Sequence, residues 1–442
     1  MVFDDQGNLE TVTNREKNVT VTFSAQGFYY YTSKNPPTVK SNFYSSSVRF
    51  EVLLVIVVLL TFRHLVLIFF VHLHLLQHPL AVHVTCKLLF RSFSIQWFAH
   101  QSSTCTHTDQ VQTASIVYND WASQEFRVYS GAHLAEIDWI VGPIPVDDQN
   151  GKEIIMRYDT DIPSNGYFYT DANGREMVER RRDYRSSYNY TVYENVSGNY
   201  NPVTSRIWIK DTQRQLTVLT GLTRIELLLQ RKTISALDRS EGGSSIHDGS
   251  IELMVHRRTL YDDSQGVHEP INETAYGTGL VIRGQHHLLL APPESSALHH
   301  RPAAQHLFLA PVHTYAIPNT SYADYSTNYR QTWSALSGTF PSNVHLLTMD
   351  HRTAKVYLVR VEHYFELNED ATLSQPVQVD LQILFQNLGK IQDIVELILT
   401  GNLPLSELKR LEWTTDQNGL STSKSSRRKL SWIEIQSFVF IL

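Results

Sequence analysis

Residues 147–180 read DDQNGKEIIMRYDTDIPSNGYFYTDANGREMVER, and three Asn-Gly pairs fall inside them: Asn150-Gly151, Asn165-Gly166 and Asn173-Gly174. Asn and Gly tolerate positive φ better than other residues, so the dipeptide favours the tight turns that join antiparallel strands. Between these turns lie short runs suited to strands: Glu153 to Tyr158, Tyr167-Phe168-Tyr169 and Arg175 to Arg180. Turn and strand alternating at this pace predict an antiparallel sheet. Working outward, the apolar run Trp139 to Val146 precedes the stretch. Period-2 runs follow it at Arg206 to Lys210, Gln215 to Leu219 and Ile251 to His256. Further strands are predicted at Val344 to Leu347, Val356 to Phe365 and Val377 to Leu384. Long helical periodicity is nearly absent, apart from a short stretch at Leu405 to Leu411. The fold class read from these patterns is all-β.

Composition agrees with that class. The 442 residues are enough for two or three domains, and 22 Tyr, 19 Phe and 7 Trp favour strands. A formal net charge of -6, with basic runs only at Arg180 to Arg182 and Arg427 to Lys429, excludes a large nucleic-acid surface. Two cysteines, Cys86 and Cys105, exclude a disulfide framework. Asn18, Asn189, Asn195, Asn272 and Asn319 each open an N-x-[ST] triplet and are candidate N-glycosylation sites, which favours a luminal or secreted protein. The opening Met1-Val-Phe-Asp-Asp lacks the apolar stretch of a signal peptide, so a luminal chain would have its start upstream.

Three segments interrupt the pattern. Residues 48–107 include an apolar block, and Val52 to His72 is long enough, at roughly 1.5 Å per residue, to match a bilayer core of about 30 Å as one apolar helix. Arg63 and His64 sit at its middle, each unfavourable there. A membrane span, a buried helix and sequence foreign to the fold remain as readings, and membrane attachment holds only for the first. Residues 221–237 split Thr220 from Asp238 in the same abrupt way. The tail 417–442 is basic and Ser-rich, then apolar, and matches no element.

Around these interruptions the chain resembles the lysosomal-type α-mannosidases of glycoside hydrolase family 38, in their C-terminal β-region only. The residues that carry the likeness are Trp139-Ile-Val-Gly-Pro-Ile-Pro-Val146, Phe168 to Glu176, Glu179 to Arg185, Gly198-Asn-Tyr-Asn-Pro202, Asp238 to Ser245, Asp248-Gly-Ser250, Glu252 to Arg258 and Gly266 to Pro270. The resemblance implies a galactose-mutarotase-like β-supersandwich over residues 1–47 plus 108–365. A small C-terminal β-domain over 376–416 would follow it. It implies a retaining hydrolase that removes α-linked mannose from N-glycans in a lysosomal or secretory lumen, with paired carboxyl groups about 5 Å apart and zinc gripping the sugar. In the family those groups come from an N-terminal half whose motifs match no residue here. No catalytic residue and no metal ligand is therefore assigned to this chain, and its partners would be that missing half and a mannose-containing oligosaccharide. The β-region's own share falls on Tyr31, which aligns with a tyrosine that reaches the cleft, and on Arg257 or Arg258, one aligning with a cleft arginine. A tyrosine hydroxyl can hydrogen-bond a sugar and a guanidinium can hold a carboxylate. The plainer alternative is a sheet aromatic beside cross-strand ion-pair partners such as Asp262 or Asp263.

Other chemistries are weaker. His286-His287, His299-His300 and His306 lack the spacing of a compact zinc site and are expected at the surface. Asp147-Asp148 and Asp262-Asp263 are expected in turns, since adjacent strand residues face opposite ways. Gly242-Gly243-Ser244-Ser245 lacks the Lys-[ST] of a phosphate loop and is expected to be a tight turn. Two functional classes follow: the C-terminal part of an α-mannosidase, inactive without its catalytic half, or a non-catalytic carbohydrate-binding or scaffold β-protein, membrane-tethered if Val52 to His72 is a span.

Overall fold

The computed structural model describes residues 1–4, 8–33, 96–97, 102–192, 195–221, 224–226, 241–262, 266, 268–309, 311–409, 433–434 and 437–441. It divides into two units, Met1–Phe308 and Leu309–Leu442. The first consists of two antiparallel sheets sharing one core. An eight-stranded sheet runs in the order Val2–Phe3, Leu9–Asn14, Val19–Ser33, Gly151–Thr160, Ser250–Arg258, Glu241–Ser244 and Asn201–Val203, with Gln96–Trp97 paired to the far end of Val19–Ser33. A ten-stranded sheet runs Glu176–Arg181, Tyr167–Ala172, Arg206–Lys210, Gln215–Thr220, Val281–Ala291, Ala135–Val141, Ala122–Tyr129, Val111–Asn119 and Ser102–His107, with Arg224–Glu226 beside Val281–Ala291.

Period-2 patterning does the work expected of it. Along Ala135–Val141 every second residue is buried, and Ile137, Trp139 and Val141 meet Phe28, Ile154, Met156, Tyr158, Leu253 and Val255 from the facing sheet. The β-supersandwich that the resemblance implies is what forms. A small β-unit follows it, where Val344–Thr353, Val356–His363, Ser437–Ile441 and Val395–Leu397 make a four-stranded sheet. The boundary between the two lies at 308/309 rather than after residue 365, because Val344–Thr353 pairs with Val356–His363, which in turn pairs with the C-terminal strand Ser437–Ile441.

Of the three Asn-Gly signals, Asn173-Gly174 closes the expected hairpin, with both residues at positive φ (54° and 73°) and Arg175 N–H donating to the Ala172 carbonyl. Asn165-Gly166 also turns (53° and 76°), but it carries the chain from one sheet to the other. Asp248 holds that turn, accepting from Gly166 N–H at 2.9 Å and Ser164 Oγ at 3.0 Å. At Asn150-Gly151 the positive φ belongs to Gln149, and the turn is made by Asp147-Asp148, as expected for that pair.

Three expectations are corrected. Gly242 and Gly243 lie in a strand, not a turn, because packing leaves no side-chain room: a Cβ on Gly243 would sit 2.6 Å from Val203 Cγ2, and one on Gly242 3.2 Å from the Tyr200 ring. A 16-residue helix, Pro293–Phe308, was not foreseen, and it covers the outer face of the ten-stranded sheet with Ala297, His300 and Ala304. His286, His287 and His300 are buried rather than superficial, His286 donating or accepting between Tyr158 Oη at 3.2 Å and Glu241 Oε2 at 3.0 Å. Within the segments that interrupt the pattern, Ser102–His107 pairs with Val111–Asn119 and Arg224–Glu226 with Val281–Ala291, so these pieces belong to the sheet. Val52 to His72, Cys86 and most of 221–237 lie outside the described residues, as does Asp263. Among the described residues no helix is long and apolar enough to cross a membrane.

Candidate functional site

The outer face of the eight-stranded sheet carries a second aromatic cluster, separate from the main core, built from Tyr29, Tyr31 and Ile155 with Tyr200, Val196 and Met254 against them. Register explains the composition. Tyr31 stands beside Glu153, and Glu153 beside Arg257; Tyr29 stands beside Ile155, and Arg157 beside Glu252. Alternate residues of three neighbouring strands thus share one face. The match is not simple alternation along Ser250–Arg258, because a bulge between Met254 and His256 inserts one extra residue. Glu252 and Met254 face this side, and after the bulge Arg257 does, where strict period 2 would have put His256.

At the centre is Glu252, fully buried. Tyr29 Oη donates to its Oε2, Tyr200 Oη to its Oε1 at 2.5 Å, and Tyr31 Oη to Oε1 at 3.3 Å. Arg157 Nε lies 3.9 Å from Oε2 and donates to Asp159 Oδ1 at 2.7 Å, with its guanidinium 5.2 Å from the Tyr29 ring centroid. Three charge-assisted hydrogen bonds and a cation offset the desolvation of the carboxylate. Burial, the largest influence, still raises the Glu252 pKa; the Arg157 charge and the Tyr200 and Tyr29 hydrogen bonds pull the other way. Burial and then the Glu252 charge push all three tyrosines upward, so their hydroxyls remain donors. Burial opposes the charge on Arg157, but Tyr29, Glu252 and Asp159 outweigh it and hold the guanidinium cationic.

Tyr200 reaches the cluster because its loop is pinned. Asn199 Nδ2 donates to Asp183 Oδ1 at 2.7 Å, Asp183 N–H returns a bond to Asn199 Oδ1 at 2.9 Å, and Arg185 donates to the Gly198 carbonyl. Ser244 Oγ holds the Asn199 carbonyl at 2.9 Å, and Gly242 leaves space for the Tyr200 ring. The separate sequence stretches 179–185, 198–202 and 241–245 therefore converge on one task.

Of the residues singled out from sequence, Tyr31 lies at the rim of this cluster, 7% exposed. Arg257 shares its face and is half exposed, 3.8 Å from Glu153 Oε1. Arg258 belongs to the opposite face, donating to the Ile144 carbonyl at 2.9 Å and Asn272 Oδ1 at 2.7 Å. The structure joins Tyr31 with Arg257 and separates both from Arg258. Asn18, Asn189, Asn195, Asn272 and Asn319 are all exposed. Glu252, Arg157, Tyr29 and Tyr200 were not singled out. The available signal was an acid inside the apolar strand run Ile251 to Val255, at a position that shares a face with Met254. The zinc implied by the resemblance finds no site: among the described residues no three His, Cys, Asp or Glu side chains come together to hold a metal ion. A separate cavity of about 720 Å³, lined by residues including Glu16, Gln112, Tyr129 and His133, opens elsewhere in the first unit.

Residues 91–265 match the model of the glycosyl hydrolases family 38 C-terminal domain. The chain is 42% identical over 322 residues to the lysosomal alpha-mannosidase of Mus musculus, covering 72% of this chain and 30% of that protein. It is 42% identical over 311 residues to the Homo sapiens lysosomal alpha-mannosidase, covering 70% and 29%. An alpha-mannosidase of Arabidopsis thaliana is 36% identical over 306 residues, covering 67% and 28%. Among solved structures, an alpha-mannosidase from Enterococcus faecalis V583 aligns with a TM-score of 0.50 at 8% identity, over 89% of this chain and 37% of that one, a likeness of fold. The chain spans about three-tenths of the length of the curated relatives it matches. With the sandwich, the converging sequence stretches and these matches in agreement, the chain belongs to glycosyl hydrolase family 38, of which it carries the C-terminal β-region.

Proposed function

We propose that this chain is the C-terminal part of a retaining α-mannosidase acting on terminal α-linked mannose of N-glycans in a lysosomal lumen, and that it supplies a wall of the substrate cleft but not the groups that break the bond. The single observation that carries this reading is the outer face on which Tyr31 and Arg257 flank Glu153 in register. A hydroxyl and a guanidinium on one face of a rigid sheet, with one strand between them, can hydrogen-bond a sugar or fix a carboxylate belonging to another element. Retaining chemistry needs a nucleophilic carboxylate and an acid about 5 Å apart, and zinc in this family would need its own ligands. We assign all of these to residues outside this chain, and route no step of the reaction through the metal here. On the same reading, sequence within 48–107 and within 221–237 is inserted relative to the family, and the exposed Asn18, Asn189, Asn195, Asn272 and Asn319 carry glycans.

The test is direct. Purified chain supplied with zinc is expected to give no hydrolysis of p-nitrophenyl α-mannoside above the no-protein rate, and zinc-dependent turnover would overturn the assignment. In a complex with a family catalytic half, Tyr31→Phe and Arg257→Ala are expected to lower kcat/KM by roughly tenfold or more, about 1.4 kcal/mol or more of lost transition-state binding, while Arg258→Ala leaves it unchanged.

A further inference from the structure

Tyr31 can meet a sugar only if its hydroxyl is free to turn outward, yet in this structure it points inward at Glu252. A carboxylate is an acceptor alone, and three O–H donors converging on it are what its ionised form calls for. A proton on Glu252 changes that inventory: one oxygen becomes a donor, and four hydrogens then compete for the remaining acceptor sites. The tyrosine hydroxyl held most weakly is the one displaced. Tyr31 is that one, because it shares Oε1 with Tyr200 and holds it at 3.3 Å against 2.5 Å, with the Tyr29 hydroxyl, also at 3.3 Å, as its other partner.

We propose that Glu252 is a positioning residue whose own proton sets the direction of the Tyr31 hydroxyl: inward when Glu252 is a carboxylate, outward to the open face when it is a carboxylic acid. The proton comes from solvent and resides on the Glu252 carboxyl group; no bond between heavy atoms forms or breaks. The charged and titratable groups facing Glu252 are Arg157 and Asp159 on its neighbouring strand, Tyr29 and Tyr31 on Val19–Ser33, and Tyr200 from the loop, while Glu153 adds negative charge near Tyr200. The Glu241–Ser244 strand brings no charged group to this face, Ser244 being paired across from Glu252 and bonded to Asn199. Burial moves the Glu252 carboxyl above the ordinary glutamate range, so it takes up its proton at a higher pH than an exposed glutamate does. That the outward hydroxyl serves a sugar rests on the function proposed above; the coupling between Glu252 and Tyr31 does not.

The experiment uses the whole chain with ¹³C at the tyrosine Cζ, the three signals assigned by Tyr29→Phe, Tyr31→Phe and Tyr200→Phe, and a titration from about pH 7.5 to about pH 4. Tyr29, Tyr31 and Tyr200 are expected to shift with one shared midpoint above that of an exposed glutamate, and Glu252→Gln is expected to abolish that midpoint while circular dichroism shows the fold retained. A Tyr31 signal that stays flat in the wild-type chain, or an unchanged midpoint in Glu252→Gln, overturns the proposal. If the glutamine variant does not fold, the wild-type titration decides: a Tyr31 midpoint different from those of Tyr29 and Tyr200 overturns it. Methyl α-mannoside added at each end of the titration separates the two ideas. A Tyr31 signal that responds to the sugar only in acid supports both; a shared midpoint with no sugar response sinks the sugar-facing role and leaves the coupling standing.

Discussion

Gly284 has an ordinary backbone conformation, yet a Cβ there would lie 2.1 Å from Trp139 Cζ2 and 2.5 Å from its Cε2, so the indole lies flat against the neighbouring strand. Overpacking of this kind costs about 3 kcal/mol when the neighbour cannot move. Gly284→Ala is expected to lower the urea midpoint accordingly without changing the slope; a loss under about 1 kcal/mol would show that the indole has somewhere to go. Glu252→Ala leaves three buried hydroxyls without their acceptor and Arg157 without one of its counter-charges, and is expected to cost about 3–5 kcal/mol in the same measurement. At this scale the sequence was partly legible. Tyr31 was singled out through its likeness to a family tyrosine, but Arg257 and Arg258 could not be told apart, because the bulge that decides which of them faces the tyrosines leaves no mark in the run Ile251 to Arg258. Glu252 was hidden for another reason: its partners Tyr29, Arg157 and Tyr200 are far away in sequence and meet only through strand pairing.

The helix Pro293–Phe308 shows the same limit for a whole element. Its sequence, with two adjacent histidines and Pro302 inside, gives no clean apolar stripe, and its burial depends on a sheet surface that only the fold creates. That surface carries a consequence for acid stability. His287, in the strand beneath the helix, has its pKa lowered by burial to about 4, and His300, on the helix against Trp208, is lowered strongly by burial and by Arg206 and Arg301. Both folded values lie below the unfolded value near 6.5. Below that pH the unfolded chain binds the extra protons, so the stability from neutral histidines is complete above about pH 6.5 and is lost as the pH falls toward 4. For His287 the limit is on the order of 3 kcal/mol. Thermal melts between about pH 7 and pH 4 are expected to show this decline, and His287→Gln to flatten it; an unchanged slope would count against His287 as its source. Turns were legible where local chemistry decides them, as at Asn173-Gly174. They were misread where the partner strand is elsewhere, since Asn165-Gly166 has the right dihedral angles but joins different sheets.

For the molecule as a whole, period-2 patterning was enough for the all-β class, because core and surface alternate along each strand whatever its partner, while the sandwich was what the family resemblance implied. The division into units was less legible. Val356–His363 resembles any sandwich strand, and only its pairing with Ser437–Ile441 and Val344–Thr353 places it in the second unit. At the start of the second unit, residues 311–334 are all exposed, including Tyr315 and Ile317 at 93% and Trp333 at 61%. Such a stretch protects few peptide bonds. Brief chymotrypsin treatment followed by mass spectrometry is expected to cut first within 311–334; initial cleavage inside 135–160 would contradict that order.

The extra residue between Met254 and His256 carries a lesson for anyone comparing or redesigning this region. Pairing the strand regularly with every residue kept would put His256 where Arg257 now faces the tyrosines, so an alignment gap misplaced by one column assigns the wrong side chain to that face. A transplant of the cluster into another scaffold must carry that irregularity with it, or the copied side chains will face the wrong way.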